Sequence, residues 1–283
     1  YGLVFSYKFL SVRLGMRPKL SENELKNKGK TDRFRLRVKF LFDNWTHRLE
    51  YNYTRGFYIE NTSEFENDIK NSNFKVQFPY LRTNMLSGSS NYKFNGNYSM
   101  KALESNTEIQ LKSTGTFLAG FNYAFYFVNG TDRIKLENQE LLQRTSYNDF
   151  SGFSPVFYIG YHYTFVFHNY WYLNVYLDPG IGFDFYQNKF YNQGESNDNL
   201  NTNVFFQVKS GFSAGYNGRK IYFGGTFKYN YNSDKVENNT LGLQPIKNSF
   251  HLFFGYRFKA PKQVTKPIEY IEEKVPVLKQ NNI

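Results

Sequence analysis

The sequence predicts an all-β chain, a transmembrane up-and-down antiparallel β-barrel of the outer-membrane type with about twelve to fourteen strands. The first observation behind this is the segment Asn248 to Phe258, NSFHLFFGYRF. Phe250, Leu252, Phe254, Tyr256 and Phe258 fall on one face of a strand; Ser249, His251, Gly255 and Arg257 fall on the other. A strand that is aromatic on one side, polar on the other and ends in phenylalanine has the form of a barrel-closing strand, with Phe254, Tyr256 and Phe258 as its signature. The second observation is composition. Phe 31, Tyr 25 and Trp 2 make 20% of the 283 residues aromatic, yet mean hydropathy is -0.62. No apolar run reaches the roughly eighteen residues that a membrane helix needs, whereas an alternating barrel hides its apolar face in a polar average. The third is strand length. Trp171 to Tyr186 keeps a period of two over about fifteen residues, beyond the nine to eleven of a tilted membrane strand and the five or six usual in soluble sheets. That length weighs against a soluble sandwich or a lipocalin-like barrel.

The elements follow in order. Leu3, Phe5, Tyr7 and Phe9 are apolar at odd positions and Leu10, Val12, Leu14 and Met16 at even ones, so a tight turn or bulge lies near Phe9 to Ser11. After a polar loop from Arg17 to Lys30, Phe34, Leu36, Val38, Phe40 and Phe42 alternate with Arg33, Arg35, Arg37 and Lys39. Asp43 and Asn44 turn the chain into a strand from Trp45 to about Ile59, which places Arg48 and Glu50 on the polar face. Glu60 to Leu81 reads as a long loop, and Met85 to Phe94 and Tyr98 to Leu103 as short strands around Asn95, Gly96 and Asn97. Gly115 to Val128 is a strand, with a tight turn expected at Asn129 and Gly130. Phe157 to Phe167, Trp171 to Tyr186, Val204 to Tyr216 and Ile221 to Tyr231 follow, with turns at His168 to Tyr170 and at Asn217 and Gly218.

Outer-membrane barrels have short periplasmic turns and long external loops. With Phe258 at the periplasmic rim, Asn188 to Asn203 and Asn232 to Lys247 are external. Carried back to the N-terminus, this count puts the long connections of the first third on the wrong rim. Either a strand between Asn129 and Phe153 goes unseen or a strand precedes Tyr1. Residues 1–258 form the barrel, and 259–283 read as an extended periplasmic tail with three prolines. Within that tail Ile268, Tyr270, Ile271, Val275, Val277 and Leu278 are more apolar than an inert linker requires and form a candidate partner-docking segment.

The runs GLVFSYKFLSVRL (Gly2 to Leu14), GKTDRF (Gly29 to Phe34), YTRGFYIE (Tyr53 to Glu60) and KSTGTFLAG (Lys112 to Gly120) resemble the Bacteroidota outer-membrane family DUF4421, a domain of unknown function. The resemblance implies a barrel in the outer membrane, with further strand-like sequence before the SYK motif. It transfers no catalytic residues, because the family has none established.

The residues themselves narrow the chemistry. Zero cysteines exclude disulfides and thiolate metal sites. The formal charge of +11 is dispersed through Asn-rich loops and strands and does not form a nucleic-acid surface. His162 and Thr164 face inward with Asp178 and Asp184, a base, a hydroxyl and acids, but no flanking motif marks a nucleophile. His47, His162, His168 and His251 lack the spacing of a shared metal site, so neither metal nor cofactor is expected. Arg33, Arg35, Arg37, Lys39 and Arg48 form a lumen-lining basic row that either favours anions or pairs with Glu50, Asp178 and Asp184 to pack a closed lumen. Inward Tyr172, Tyr176 and Tyr186 favour closure. The function expected is a non-enzymatic outer-membrane barrel with a largely filled lumen, anchoring a subunit of a cell-envelope complex. Its partners are membrane lipid and envelope proteins bound through the tail and external loops. A narrow anion-preferring pore is the alternative, and a lumen-facing hydrolase ranks third.

Overall fold

The computed structural model describes residues 2–16, 20–62, 73–137, 141–144, 146–192, 195–233 and 248–258, with 265, 266, 270 and 274 of the tail. Its strands are β1 (Gly2–Tyr7), β2 (Leu10–Met16), β3 (Asp32–Leu41), β4 (Trp45–Tyr58), β5 (Gln77–Lys93), β6 (Thr114–Asn129), β7 (Arg133–Ile134), β8 (Leu142–Gln143), β9 (Ser146–Phe167), β10 (Trp171–Asn192), β11 (Glu195–Asn217), β12 (Ile221–Asn232) and β13 (Asn248–Tyr256). Among the described residues the short helices α1 (Glu22–Lys28) and α2 (Met100–Glu104) interrupt the strands. Eleven strands form one curled antiparallel sheet in sequence order, β1 to β6 and then β9 to β13, while β7 and β8 make a separate hairpin. The wall is therefore a β-barrel type of sheet with up-and-down connectivity. Its edges, β1 and β13, run in the same direction and are not paired with each other among the described residues.

Register gives the sheet two chemically different faces. Facing outward are Leu10, Val12 and Leu14 of β2, Phe34 to Phe40 of β3 at even positions and Trp45 to Tyr53 of β4 at odd ones. The outward set continues through Phe117 to Phe127, Phe153 to Phe167, Trp171 to Phe185, Leu200 to Tyr216, Ile221 to Tyr231 and Phe250 to Phe258. Across this band no outward position carries Asp, Glu, Lys or Arg, and His47 is its one titratable imidazole. The large side chains stand free: Leu177 is 53% exposed, Leu252 76% and Phe254 75%. Conversely, Arg13, Arg35, Arg37, Lys39, Arg48, Glu50, Asp178, Lys209, Lys228 and Arg257 all lie on the inner face. The interior clusters are small, Val76 with Ile134 near one rim and Tyr98, Met100 and Leu118 in the lumen. A chain that keeps its aromatic side chains outside and its charges inside reverses the arrangement water imposes.

Loop placement resolves the orientation conflict. The turns at Lys8 and Phe9, at residues 42–44, at 168–170 and at 218–220 all lie on one rim, with the end of β13. His168 and Asn169 take the left-handed backbone (φ 44 and 67) that so short a reversal requires. The long connections, including α1 and the β7–β8 hairpin, lie on the opposite rim. The expected strand at Tyr98 to Leu103 does not exist. Met100–Glu104 is α2, and β5 is one strand of 17 residues beginning at Gln77. Removing that false strand reverses the direction of everything before it, and the first third then falls on the correct rim. Residues 188–203, expected as a loop, are mostly strand: β9, β10 and β11 run 22, 22 and 23 residues. That is about twice what a tilted membrane strand needs, so these three extend well past the apolar band on the long-connection rim.

Candidate functional site

One connection on the turn rim is long, residues 94–113 between β5 and β6, and it folds into the lumen. Its root is fixed by Asn95, whose Nδ2 donates to Thr114 Oγ1 (3.1 Å) and the Gly115 carbonyl (2.8 Å). Lys93 Nζ donates to the carbonyls of Gly96 and Tyr98. Ser99 then caps α2, its Oγ accepting from Ala102 N at 3.0 Å. Met, Lys, Ala, Leu and Glu are strong helix formers, so five residues suffice for the turn once it is held by tertiary contacts.

This plug reaches most of the wall. Tyr98 is fully buried; its OH accepts from Asn174 Nδ2 of β10 at 2.7 Å, and its ring meets His162 of β9 edge-on. Burial raises the Tyr98 phenol above its ordinary range, so it stays neutral. Glu104 points to the basic row: Lys39 Nζ donates to its carboxylate, and Arg48 Nη2 lies 3.0 Å from Oε2. Burial pushes this carboxyl up, but Lys39, Arg48 and Lys228 outweigh it and hold it well below the usual carboxylate range. Lys101 pairs with Asp43 (3.2 Å) and Glu108 (3.1 Å). At the sheet edges Thr107 Oγ1 donates to the Lys8 carbonyl and Arg257 Nε to the Asn106 carbonyl. Neighbouring plug residues thus tie the first turn of the sheet to its last strand. Between plug and wall, Leu103, Thr164, Tyr172 and Asn217 enclose a water-sized void.

The basic row divides by height. Arg35 donates through Nε to Asn52 Oδ1 and lies 3.5 Å from Glu50, while Arg37 pairs with Glu50 directly. Lys39 and Arg48 sit lower, on Glu104, a partner missed in sequence because it lies on the connection between β5 and β6. Arg33 is exposed at the long-connection rim. Asp178 serves neither row; its Oδ1 holds His162 Nε2 at 2.8 Å, the ring stacked on Tyr176. Thr164 Oγ1 accepts from Asn174 Nδ2, so the hydroxyl is engaged there rather than with His162. Lys209 and Lys228, also missed, face Arg48 across the lumen, with no carboxylate in ion-pair distance among the described residues. Lys209 instead lies over the Tyr158 ring at 5.1 Å. The signal for both lysines was available in the inward parity of their strands.

Phe254, Tyr256 and Phe258 project from the outer face beside β12. In the tail, Tyr270 is exposed with Lys274 Nζ 4.9 Å from its ring centre. Ile268, Ile271, Val275, Val277 and Leu278 lie outside the described residues. The family model described as a domain of unknown function, DUF4421, matches residues 1–258. The chain belongs to the DUF4421 family. No curated protein matches it. The family match ends at Phe258, the same residue at which the alternating pattern stops, and it leaves the lumen of this DUF4421 protein as the feature from which a function must be argued. Exchanging Arg35→Glu together with Arg37→Glu should alter lumen packing or conductance yet leave membrane insertion intact. Loss of insertion in vesicles would place that row against lipid instead.

Proposed function

We propose that this DUF4421 protein is a non-enzymatic integral barrel of the bacterial outer membrane. Its lumen is filled, and it serves as a membrane-anchored subunit of a cell-envelope complex. The observation that carries the reading is the pairing of an outer band free of Asp, Glu, Lys and Arg with an inner face that holds the charges. Lipid outside and a polar lumen inside account for both. The plug supports an anchor over a conduit, because residues 94–113 bond to both edges of the sheet and to β3, β4 and β10 between them. The His162–Asp178 pair resembles the base and acid of a hydrolase, but the nearby hydroxyl, Thr164, accepts from Asn174 instead of meeting His162.

The partners would meet the tail and the extended β9–β11 blade. Purified in detergent, the protein should give a β-rich circular dichroism spectrum and heat-modifiable gel migration. Gentle extraction and native pull-down should recover defined partners. Removing Lys262 to Ile283 should release those on the tail side while the barrel still folds, since among the described residues β13 makes its ladder with β12. Retention of every partner by the truncated protein would overturn the docking role of the tail. A second reading, a narrow anion-preferring pore, is favoured by one observation: among the described residues Lys209 and Lys228 add luminal positive charge with no carboxylate in ion-pair distance, Asp178 and Glu104 acting on them from farther away. Planar-bilayer recording separates the two, because a plugged anchor gives no steady conductance.

A further inference from the structure

Just past the apolar band, on the long-connection rim, the outer face changes character. The outward position after Tyr53 on β4 is Arg55, and the one beyond Asn84 on β5 is Arg82; register sets these two arginines directly opposite each other, with Asn129 of β6 opposite Arg82. Like charges so placed across neighbouring strands repel. Arg133 joins them from β7, and the Arg55 and Arg133 guanidiniums lie 5.2 and 4.7 Å from the centre of the same Tyr80 ring. Together Arg55, Tyr80, Arg82, Gly130, Asp132 and Arg133 line a cleft of about 300 Å³.

The cleft is held in shape. Gly130 has a left-handed backbone (φ +78), and a Cβ there would stand 2.3 Å from the Tyr80 carbonyl oxygen, so the backbones close up as only glycine allows. Arg82 is fixed by Asn129 Oδ1, and Arg55 by the Pro79 carbonyl at 3.4 Å. Both bonds use Nε and leave the terminal nitrogens of each fork to the cleft. Against three guanidiniums the lining offers one carboxylate, Asp132, 3.6 Å from Arg133. Asp149 acts on Arg82 from β9, but its register partner on β10 is Lys189. Asp32 of β3 stands opposite Arg55 in register but pairs with Lys30 at 3.0 Å, and Lys189 pairs with Asp198 at 3.4 Å. Within the lining itself three guanidiniums thus face one carboxylate.

We propose that this cleft binds the phosphate groups of an outer-leaflet glycolipid. The inference rests on the outer-membrane reading, which puts this rim at headgroup depth and the acyl chains along Tyr53, Leu86 and Phe127 directly beneath. Arginine forks match phosphate oxygens bidentately, and continuity with the apolar band selects a phosphate that carries lipid over a free ion.

The test uses the full chain refolded into vesicles, then extracted and titrated by native mass spectrometry with three probes: lipid A carrying its phosphates, the same lipid dephosphorylated, and inorganic phosphate. Phosphorylated lipid A should bind about tenfold or more tighter than the dephosphorylated form, the loss expected when charge-assisted bonds are removed. Arg82→Glu with Arg133→Glu should abolish that preference while heat-modifiable migration is kept, and Arg82→Lys with Arg133→Lys should retain part of it. Equal binding of the dephosphorylated lipid, an unchanged preference in the folded Glu variant, or equally tight occupancy by inorganic phosphate would overturn the proposal. If the Glu variant fails to fold, the two lipid forms compared on the unaltered chain still decide. A chain that inserts in vesicles but shows no preference sinks this inference alone, whereas one that does not insert sinks the outer-membrane reading with it.

Discussion

Replacing Glu104 with alanine should loosen the plug and turn a closed barrel into one with measurable, anion-selective conductance. Glu104 is the single carboxylate shared by Lys39 and Arg48, and Lys228 acts on it from across the lumen. Removing it leaves Arg48 without its carboxylate and Lys39 with only the backbone carbonyl of residue 104 at 3.3 Å, and breaking fully buried pairs costs about 3 to 5 kcal/mol. Arg48 keeps 31% of its side chain accessible, so about 3 kcal/mol is the expected cost. The loss falls on the plug because Glu104 is its bond to β3 and β4. With α2 released, the lumen is lined by Lys39, Arg48, Lys209 and Lys228, and the current through it should prefer anions. Acid should act like the substitution only at low pH. The Glu104 carboxyl is held below its unfolded value, so its contribution is complete above that value and disappears as pH falls through the depressed one. Steady closure from neutral pH down to about pH 4, the ordinary range of a free carboxyl, followed by opening in stronger acid, is the expected profile in planar bilayers. Conductance in the unaltered protein at neutral pH, or none in the Glu104→Ala variant, would count against the plug as the seal.

How much of this was legible in the sequence depends on whether a feature is local. The alternation from Trp171 to Phe185 and from Phe250 to Phe258 is a local signal, since every second side chain reports the solvent on its side. The wall could therefore be read strand by strand, and so could the inward facing of Arg35, Arg37 and Lys39. The plug could not. MKALE is five residues long, too short for a helical period to register, and its Ser99 cap sits among asparagines and glycine that read equally well as a turn. Mistaking it for a strand reversed the apparent direction of everything upstream. Glu104 meets Lys39 and Arg48 only after the sheet has curled, a closure that no pairwise pattern encodes. The overlong strands were hidden for a different reason: from Gln187 to Asn203 the outward side chains turn largely polar, and a sheet with two wetted faces loses the alternation that marks it.

The substitution Leu177→Arg should block assembly of the barrel into the membrane. Leu177 faces outward near the middle of the β10 band that runs from Trp171 to Phe185, and its 53% exposure is exposure to whatever surrounds the wall. If that medium is hydrocarbon, an arginine at mid-depth costs about 2 to 4 kcal/mol, falling to about 0 to 1 near the interface. If it is water, the same exchange at an exposed site stays within about 0.5 kcal/mol. Gln187→Arg is the matched control, because Gln187 is outward on the same strand but beyond the last aromatic of the band. Folding titrations in vesicles should thus separate the two variants by about 2 kcal/mol or more, with Gln187→Arg close to the unaltered chain. The difference between the two sites matters more than either value, since strand, residue introduced and charge are the same, and the sites differ in depth along the wall and in the side chain replaced. Equal, small effects at both would mean that the outer face meets water, and the aromatic band would then need to be explained as a surface covered by another protein.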